Sequence, residues 1–249
     1  MTEEQLRRDI VDYAHRVHRS GWVANHDGNL SCRLGDSAFL ATPTAVSKAD
    51  VRPEMLIVVN DSGTVTHGTR RAFSEFRLHR AAYSARPDIG VVIHAHPPTA
   101  TGFCVANVPL GEPFMAEPVV SLGPQVPLIP FRLPNAEDLF ERISEGLANA
   151  DVLMLANHGV LAVGGSFEQA YLRLELVEHM AKIALVARQL GGAVPIPKAI
   201  VQKLGQKGRP PSQPSFGETP KPQTVPKATH PANGVDQLVA DALKRFQTS

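Results

Sequence analysis

Cysteine is scarce in this chain of 249 residues, which contains only Cys32 and Cys104. Two cysteines are too few for a disulfide framework, and no Cys-x-x-Cys pair is present. No apolar run approaches the ~18 residues that a membrane span needs, and the charged start, MTEEQLRRDIVDY, lacks the apolar core of a signal peptide. We therefore expect a cytoplasmic protein with no membrane partner.

An excess of charge of either sign is also missing. The chain has 25 Lys and Arg against 24 Asp and Glu, which gives a formal net charge of +1. Such a balance gives no reason to expect a nucleic acid as partner. Hydrophobic residues make up 43% and charged residues 20%, so the chain can bury a sizeable core and should be mostly globular.

Apolar periodicity predicts alternating helices and strands up to about residue 192. Helical spacing follows the capping candidates Thr2, Ser74 and Ser166, and the last of these helices should run from about 167 to 190. Short apolar runs between the helices predict strands, and hairpin signals such as Asp61-Ser62-Gly63 occur beside longer crossovers. The pattern predicts one α/β domain, residues 1–200, on a mixed or largely antiparallel sheet.

The composition changes beyond residue 200. Residues 205–234 contain seven prolines among Ser, Gln, Thr and Lys, and such a segment buries too little apolar surface to offset its ordering entropy. We predict a disordered linker there. Residues 235–247 return to helical spacing and predict a short amphipathic helix, with the apolar positions Val235, Leu238, Val239, Ala242, Leu243 and Phe246. A docking peptide and a tail without function are both open interpretations of this helix.

Three histidines form the strongest chemical signal. His94 and His96 end an apolar strand, and side chains two residues apart on a strand point to the same face. His158 lies between Asn157 and Gly159 at the junction of two apolar strands, where a polar group is costly unless it is paired or coordinated. Three histidines with one open position are typical of a catalytic zinc site. We predict one Zn²⁺, or another divalent metal, per chain.

Glu75, two small-residue turns and Ser74 are candidate partners of such a metal. A glutamate at a helix start is stabilised by the helix dipole, and it is either an ordinary helix-start residue or a general acid/base. The turns Gly28-Asn29-Leu30-Ser31 and Thr42-Pro43-Thr44-Ala45, together with Ser74, carry small residues and hydroxyls that can present donors to an anion. Each segment alone is an ordinary turn.

As a set, these motifs resemble the class II aldolase/adducin family. Gly-Asn-Leu-Ser, Thr-Pro-Thr-Ala, Ser-Glu-Phe-Arg-Leu-His, His-Ala-His-Pro and Asn-His-Gly occur in the order and spacing of that family, over roughly residues 3–192. Within the family, the likeness is to the L-fuculose-phosphate aldolase branch. The resemblance implies a three-layer α/β/α fold with a central, mostly antiparallel sheet. It also implies a homotetramer with active sites between neighbouring subunits.

The resemblance further implies a reaction and the residues that perform it. The activity would be that of a zinc-dependent aldehyde-lyase of carbohydrate metabolism, such as pentose catabolism. It would cleave a ketose 1-phosphate or a related ketose by retro-aldol chemistry, through a metal-stabilised enediolate. Zinc would be held by His94, His96 and His158, and Glu75 would be the acid/base. The substrate phosphate would be bound by Gly28, Asn29, Thr44, Ala45 and Ser74.

The chain departs from the family pattern at two positions of the presumed phosphate pocket. Phe73 replaces the first of two serines before the glutamate, and Ala45 replaces a glycine. Both changes indicate a weaker grip on phosphate or a substrate without phosphate. The family aldolase also uses tyrosines of a neighbouring loop and of the C-terminal tail, whereas Tyr13, Tyr83 and Tyr171 lie in neither segment. The proton donor to the aldehyde product is therefore unassigned.

Two further functions are compatible with the same motifs. One is a sister enzyme of this fold, namely a sugar-phosphate epimerase, a dehydratase or a decarboxylase. The epimerase subgroup is expected to have the residue pair Ser-Asp at the position where this chain has Ser74-Glu75. The other is a non-enzymatic interaction module of the adducin type, which suits the proline-rich tail but is expected to lack the metal histidines.

Overall fold

A twisted β-sheet forms the middle layer of the protein in the computed structural model, which describes residues 2–133, 136 and 138–206. Within these residues the sheet has eight strands in the spatial order β4-β3-β2-β1-β5-β8-β7-β6. All neighbouring strands are antiparallel except β6 and β7. The strands are β1 (Asn29–Arg33), β2 (Ala38–Ala41), β3 (Ile57–Asn60), β4 (Val65–His67), β5 (Val91–Ala95), β6 (Leu128–Ile129), β7 (Val152–Leu155) and β8 (Gly159–Gly164). The predicted, mostly antiparallel sheet is confirmed.

Seven α-helices surround the sheet in the described part of the chain. Two of the predicted caps are present, since Thr2 accepts a hydrogen bond from the Gln5 amide and Ser166 accepts one from the Gln169 amide. The helices are α1 (Glu3–Arg19), α2 (Phe76–Ala85), α3 (Pro98–Val105), α4 (Ala116–Leu122), α5 (Leu139–Ala148), α6 (Phe167–Gln189) and α7 (Lys198–Gly205). None of the described helices is both long and apolar enough to cross a lipid bilayer.

Helices α3, α4 and α7 were not predicted from the sequence. Each has only seven or eight residues, too few to repeat an apolar period clearly. Helix α7 continues the fold to Gly205 and ends at its C-cap, Gln206. Apart from these two residues, the predicted linker 205–234 lies outside the described residues, as does the predicted helix 235–247.

Side chains of alternating strand positions fill a core on each face of the sheet. One core packs the sheet against α1, α3 and α6, and includes Leu30, Ile93, Met154, Ile10, Phe103 and Leu174. The other packs the sheet against α2 and α5, and includes Phe39, Val92, Leu161, Leu78, Ile143 and Leu147. The predicted three-layer α/β/α architecture is therefore confirmed.

One buried carboxylate joins the two helical layers at the start of β7. Asp151 accepts a hydrogen bond at 3.0 Å from Arg86, the C-cap residue of α2. Its second oxygen lies 2.6 Å from Nη2 of Arg173 on α6. Asp151 and Arg86 are both buried, so these charges are paired where water cannot solvate them.

Several chain segments meet at one end of the sheet. Strand β5 ends there, and the antiparallel register places Asn29, the first residue of β1, opposite His94 of β5. The turn between β7 and β8 reaches the same end, because Ala95 pairs with Val160. The fold therefore gathers the motif-bearing turns around the C-terminal end of β5.

We expect Leu147→Ala to lower the free energy of unfolding by about 2–5 kcal/mol, because it leaves a cavity under α5 where the leucine is fully buried. Leu190→Ala is the matched control, since that leucine is 83% exposed and its loss should change stability by less than about 0.5 kcal/mol. Urea unfolding followed by circular dichroism measures both. Equal effects would contradict the packing of α5 on the sheet.

Candidate active site

The imidazole rings of His94, His96 and His158 converge at the end of β5. One ligand nitrogen from each ring lies within 4.8 Å of the others. Nε2 of His94 and Nε2 of His96 are 3.1 Å apart, and the ring centroids are separated by 4.6 to 5.5 Å. The structure thus brings together the three side chains that the sequence predicts as metal ligands.

The donor set fits a tetrahedral metal ion. His94 is fully buried, and its Nδ1 lies 3.0 Å from the carbonyl oxygen of Val160. A carbonyl can only accept, so Nδ1 carries the proton and the Nε2 lone pair points toward the other two rings. Two nitrogens bound to one tetrahedral Zn²⁺ at ~2.05 Å are ~3.3 Å apart, close to the separation of the His94 and His96 nitrogens.

The surroundings also favour the neutral form of the imidazoles that a metal needs. Burial lowers the pKa of His94, although the charge of Glu75 acts in the opposite direction. Burial, followed by the charge of His158, lowers the pKa of His96. Nδ1 of His96 lies 3.6 Å from a carboxylate oxygen of Asp27, so its Nε2 is left to face the cluster.

Two glycines allow the backbone to come close to these rings. A Cβ at Gly159 would collide with the His96 ring and lie 2.7 Å from the Ala95 carbonyl oxygen. A Cβ at Gly28 would lie 2.9 Å from the His94 carbonyl oxygen, and Gly28 has a left-handed φ of 67°. Any side chain at either position would push the segment that carries His94 and His96 out of place.

The turn that carries His158 is also left-handed. Asn157 has a φ of 55°, a conformation that asparagine tolerates better than most residues. Its N–H donates to the Cys104 carbonyl at 3.0 Å, and the His158 N–H donates to the Leu155 carbonyl at 3.1 Å. These bonds turn His158 back toward the end of β5.

The Glu75 carboxylate lies against the histidine cluster. Its Oε1 is 2.7 Å from Nε2 of His158, and its Oε2 is 3.5 Å from Nε2 of His94. The side-chain amide of Asn29 donates a hydrogen bond of 2.8 Å to Oε2. Burial opposes ionisation of Glu75, but the hydrogen bonds from His158 and Asn29 and the charges of the histidines hold its pKa well below the usual range.

The helix that follows Glu75 begins later than expected. The sequence predicts a helix from Ser74 with Glu75 in its first turn, whereas α2 begins at Phe76 and Glu75 is its N-cap residue. The Glu75 side chain makes no capping hydrogen bond. Its carboxylate contacts the histidines and Asn29 instead of the free N–H groups of the helix.

The predicted anion-binding turns lie next to one another. The buried ammonium of Lys48 donates to the carbonyl oxygens of His26 at 3.0 Å and Val46 at 3.2 Å, so it ties together the turns that follow β2 and precede β1. The Thr44 N–H donates to the Arg71 carbonyl at 3.0 Å, which joins the segment before Ser74 to them. Phosphate binding by Gly28, Asn29, Thr44, Ala45 and Ser74 stays a prediction.

Sequence reasoning missed several buried polar residues that support the site. Lys48 is one of them. Burial lowers its pKa to about 8, although the charges of Asp27 and Glu75 act to raise it. Glu178 of α6 is another, since its carboxylate accepts from the amides of Thr99 at 3.2 Å and Ala100 at 2.8 Å. It thereby caps α3, the helix that follows His96 in the chain.

His79 on α2 was also missed, because in the sequence it stands only as the last residue of the motif Ser-Glu-Phe-Arg-Leu-His and was given no role of its own. It is fully buried, and its ring contacts Asn29 and Ser31 beneath Glu75. The signal was present, because residues four apart on a helix share a face and His79 follows Glu75 by four positions.

With this geometry established, the sequence was compared with known proteins. Residues 8–185 match the family model described as the class II aldolase and adducin N-terminal domain. The chain belongs to this family. The match covers most of the chain, and it confirms the resemblance that the motifs indicate. Membership supports an aldolase-type enzyme.

Three relatives show how far the family likeness extends. The chain is 26% identical over 208 residues to the 5-deoxy-D-ribulose 1-phosphate aldolase of Bacillus thuringiensis serovar kurstaki, covering 83% of this chain and 97% of that protein. It is 29% identical over 188 residues to a 3-oxo-tetronate 4-phosphate decarboxylase of Escherichia coli, and the match covers 74% of this chain and 88% of that protein. A solved structure of L-fuculose 1-phosphate aldolase superposes with a TM-score of 0.76 at 24% sequence identity. The superposition covers 83% of this chain and 97% of that chain, and it shows the shared fold.

The left-handed Ala45 allows a test of the turn beside the site. Its φ is 56°, a region that costs an L-residue roughly 1–2 kcal/mol and costs glycine nothing comparable. We expect Ala45→Gly to raise the free energy of unfolding by about 0.5–1 kcal/mol, net of the greater freedom of glycine in the unfolded chain. Thermal unfolding measures the change. Ala49→Gly, at an exposed alanine outside the left-handed region, should lower stability instead, and a rise in both variants would refute the strain at Ala45.

Proposed function

We propose that this protein is a metal-dependent aldehyde-lyase that cleaves a ketose 1-phosphate, or a related ketose, by retro-aldol chemistry. The observation that carries the proposal is the Glu75 carboxylate in contact with a cluster of three imidazoles. A single metal ion held by three histidines, with an anionic acid/base beside it, suits a reaction that moves a proton on a carbon next to a carbonyl. An interaction module of the adducin type has no need of such a cluster.

His94, His96 and His158 would hold the metal, and we propose one Zn²⁺ per chain. The ion, when bound, supplies Lewis-acid polarisation of the substrate carbonyl. Nε2 of His158, which lies 2.7 Å from Oε1 of Glu75, would have to present its lone pair to the ion, and its ring proton would then sit on Nδ1. Glu75 is then free to contact the substrate.

Glu75 would transfer the proton at the donor carbon of the substrate. In a retro-aldol cleavage, the hydroxyl on carbon 4 would give its proton to the group that a neighbouring chain supplies and become the aldehyde carbonyl. The bond between carbon 3 and carbon 4 breaks, and its electron pair stays on carbon 3. Glu75 would take up a proton from solvent and deliver it to carbon 3, and in the direction of synthesis the carboxylate would remove that proton. The hydrogen bond from Asn29 holds one carboxylate oxygen while the other remains available.

A phosphate group on the substrate suits the turns around the site. Gly28, Asn29, Thr44, Ala45 and Ser74 are proposed to bind it. Support comes from the two relatives, which by name act on phosphorylated compounds. Phe73 is buried against Phe76 and His79, and it offers no hydroxyl where the family pattern has serine. We therefore expect a weaker hold on phosphate than a two-serine pocket gives.

A decarboxylase is the second candidate, and the similarity to a 3-oxo-tetronate 4-phosphate decarboxylase favours it. Loss of CO₂ from a 3-oxo acid also leaves an electron pair on a carbon next to a carbonyl. The same histidine cluster and the same Glu75 serve both reactions. The two differ in the leaving group, which is an aldehyde in one and CO₂ in the other.

We also propose that the protein assembles as a homotetramer. The resemblance to the family supports this, and so do the exposed apolar side chains of Leu172, Leu185 and Val186 along α6. Sites at the borders between subunits would let a neighbouring chain supply the proton donor for the aldehyde. The three tyrosines do not serve that role within one chain, since Tyr13 stacks on Phe167 and contacts the tilted ring of Tyr171, and Tyr83 is buried below the site.

Purified protein should contain about one divalent metal per chain, and His94→Ala should lose it. The loss follows from removing the buried ligand whose Nε2 faces the other two rings. Elemental analysis after dialysis measures the content. His179→Ala is the matched control, because His179 is exposed on α6, and it should keep full metal content. Retention of metal by the His94 variant would refute the site.

Carbon–carbon cleavage should be detected in a panel of ketose 1-phosphates, their unphosphorylated forms and 3-oxo acid phosphates. Aldehyde release identifies an aldolase, and CO₂ release identifies a decarboxylase. Glu75→Gln should retain the metal but lower exchange of the carbon-3 proton of dihydroxyacetone phosphate with solvent by about 10²–10⁴-fold. Undiminished exchange would place the acid/base elsewhere, and absence of cleavage across the panel would refute both candidate functions.

A further inference from the structure

A continuous chain of hydrogen bonds runs from Tyr83 to the Glu75 carboxylate. The Tyr83 hydroxyl lies 2.9 Å from Oγ of Ser31, and Oγ lies 2.7 Å from Nδ1 of His79. Nε2 of His79 lies 2.6 Å from Oδ1 of Asn29, whose amide nitrogen is 2.8 Å from Oε2 of Glu75. The four residues behind Glu75 are all buried, so solvent supplies none of these hydrogen bonds.

The Glu75 carboxylate and the neutral His79 ring together fix the direction of every bond. The Glu75 carboxylate can only accept, so the amide nitrogen of Asn29 donates to it and the amide oxygen of Asn29 faces His79. That oxygen accepts from Nε2–H of His79. In a neutral ring Nδ1 is then an acceptor, and it takes the hydroxyl proton of Ser31. Tyr83 donates to Ser31, so all four bonds point toward Glu75 and reinforce one another.

His79 is held in that neutral form by its surroundings. Burial lowers its pKa to about 3, although the charge of Glu75 acts in the opposite direction. The Phe73 ring lies 5.0 Å from the His79 ring between centroids and covers it. The other groups that face His79 are the hydroxyls of Ser31 and, through it, Tyr83, whose own pKa is raised by burial.

The orientation of the Asn29 amide depends on this chain. An amide side chain has nearly the same shape after a half turn, so only its partners decide whether nitrogen or oxygen faces Glu75. Nε2–H of His79 donates its hydrogen bond to Oδ1 of Asn29, and it therefore holds the amide nitrogen toward the carboxylate. With the amide reversed, its oxygen would meet the carboxylate and repel it.

We propose that His79 is a positioning residue that acts through Asn29 to hold the Glu75 carboxylate in its place beside the metal histidines. This inference rests on the proposed function in so far as Glu75 moves a proton. The proposal also explains why Phe73 stands where the family pattern has a serine. Phenylalanine has no hydroxyl for the phosphate pocket, but its ring shields the hydrogen-bonded chain from water.

Two variants separate positioning from simple packing. His79→Gln keeps an N–H donor at the level of Nε2, whereas His79→Leu removes it. Both remove the Nδ1 atom that accepts from the Ser31 hydroxyl, so the loss of that atom is common to the two variants. We expect the leucine variant to exchange the substrate carbon proton about 10–100-fold more slowly with unchanged metal content, and the glutamine variant to retain most of the rate. Equal losses in the two variants would overturn the proposal.

A second readout does not depend on the reaction. Nitrogen-15 NMR of the imidazoles in the unaltered, metal-loaded protein should show His79 with its proton on Nε2 and no titration between pH 5.5 and 8. One Asn29 side-chain amide proton should be shifted downfield by the carboxylate, a shift that His79→Gln keeps and His79→Leu loses. A titrating His79, or a proton on Nδ1, would overturn the inference. If the NMR results hold and no substrate is turned over, the proposed function fails and the positioning of Asn29 stands.

Discussion

The antiparallel pairing of β5 with β8 is the interaction on which the site depends. It sets Ala95 opposite Val160, so the Val160 carbonyl is in place to accept the Nδ1 proton of His94. The first residue of β8, Gly159, lies under the His96 ring, where any side chain would collide. The turn into β8 carries His158. One ladder of backbone hydrogen bonds therefore positions all three rings, and a slip of its register would separate them.

The site is maintained against several local preferences of the chain. Glu75 occupies the N-cap position of α2 without capping it, because its carboxylate is engaged by Asn29 and His158. Ala45 and Asn157 adopt left-handed conformations that most residues avoid. Departures of this kind concentrate where function constrains the backbone. The buried cores on the two faces of the sheet supply the stability that such departures cost.

Much of the fold could be predicted because its signals are local. Apolar runs located the strands around His94 and His158, and capping residues located the starts of α1 and α6. The three-histidine cluster could be predicted because two of its members, His94 and His96, lie two residues apart at the end of one strand. The helices α3, α4 and α7 are too short to show a period, and their positions depend on contacts with distant segments.

The supporting residues escaped prediction for a different reason. His79, Lys48 and Glu178 are ordinary polar residues in the sequence, and their roles exist only through partners far along the chain. Lys48 bonds to the His26 carbonyl across 22 positions, and His79 contacts Asn29 across 50. No local pattern distinguishes such residues from exposed ones. The one local indication is that His79 follows Glu75 by four positions, which places the two residues on the same face of a helix.

The capping of α3 by Glu178 has a consequence for folding. The bonded residues, Ala100 and Glu178, are separated by 78 positions, so the N-terminus of α3 is completed only after α6 has docked on the sheet. The segment after His96 therefore acquires its final path late in folding. A chain that has not yet closed these long loops has no assembled ligand set. Assembly of the three-histidine cluster would thus report completion of the tertiary structure, and any ion that binds only the native state would stabilise it by mass action.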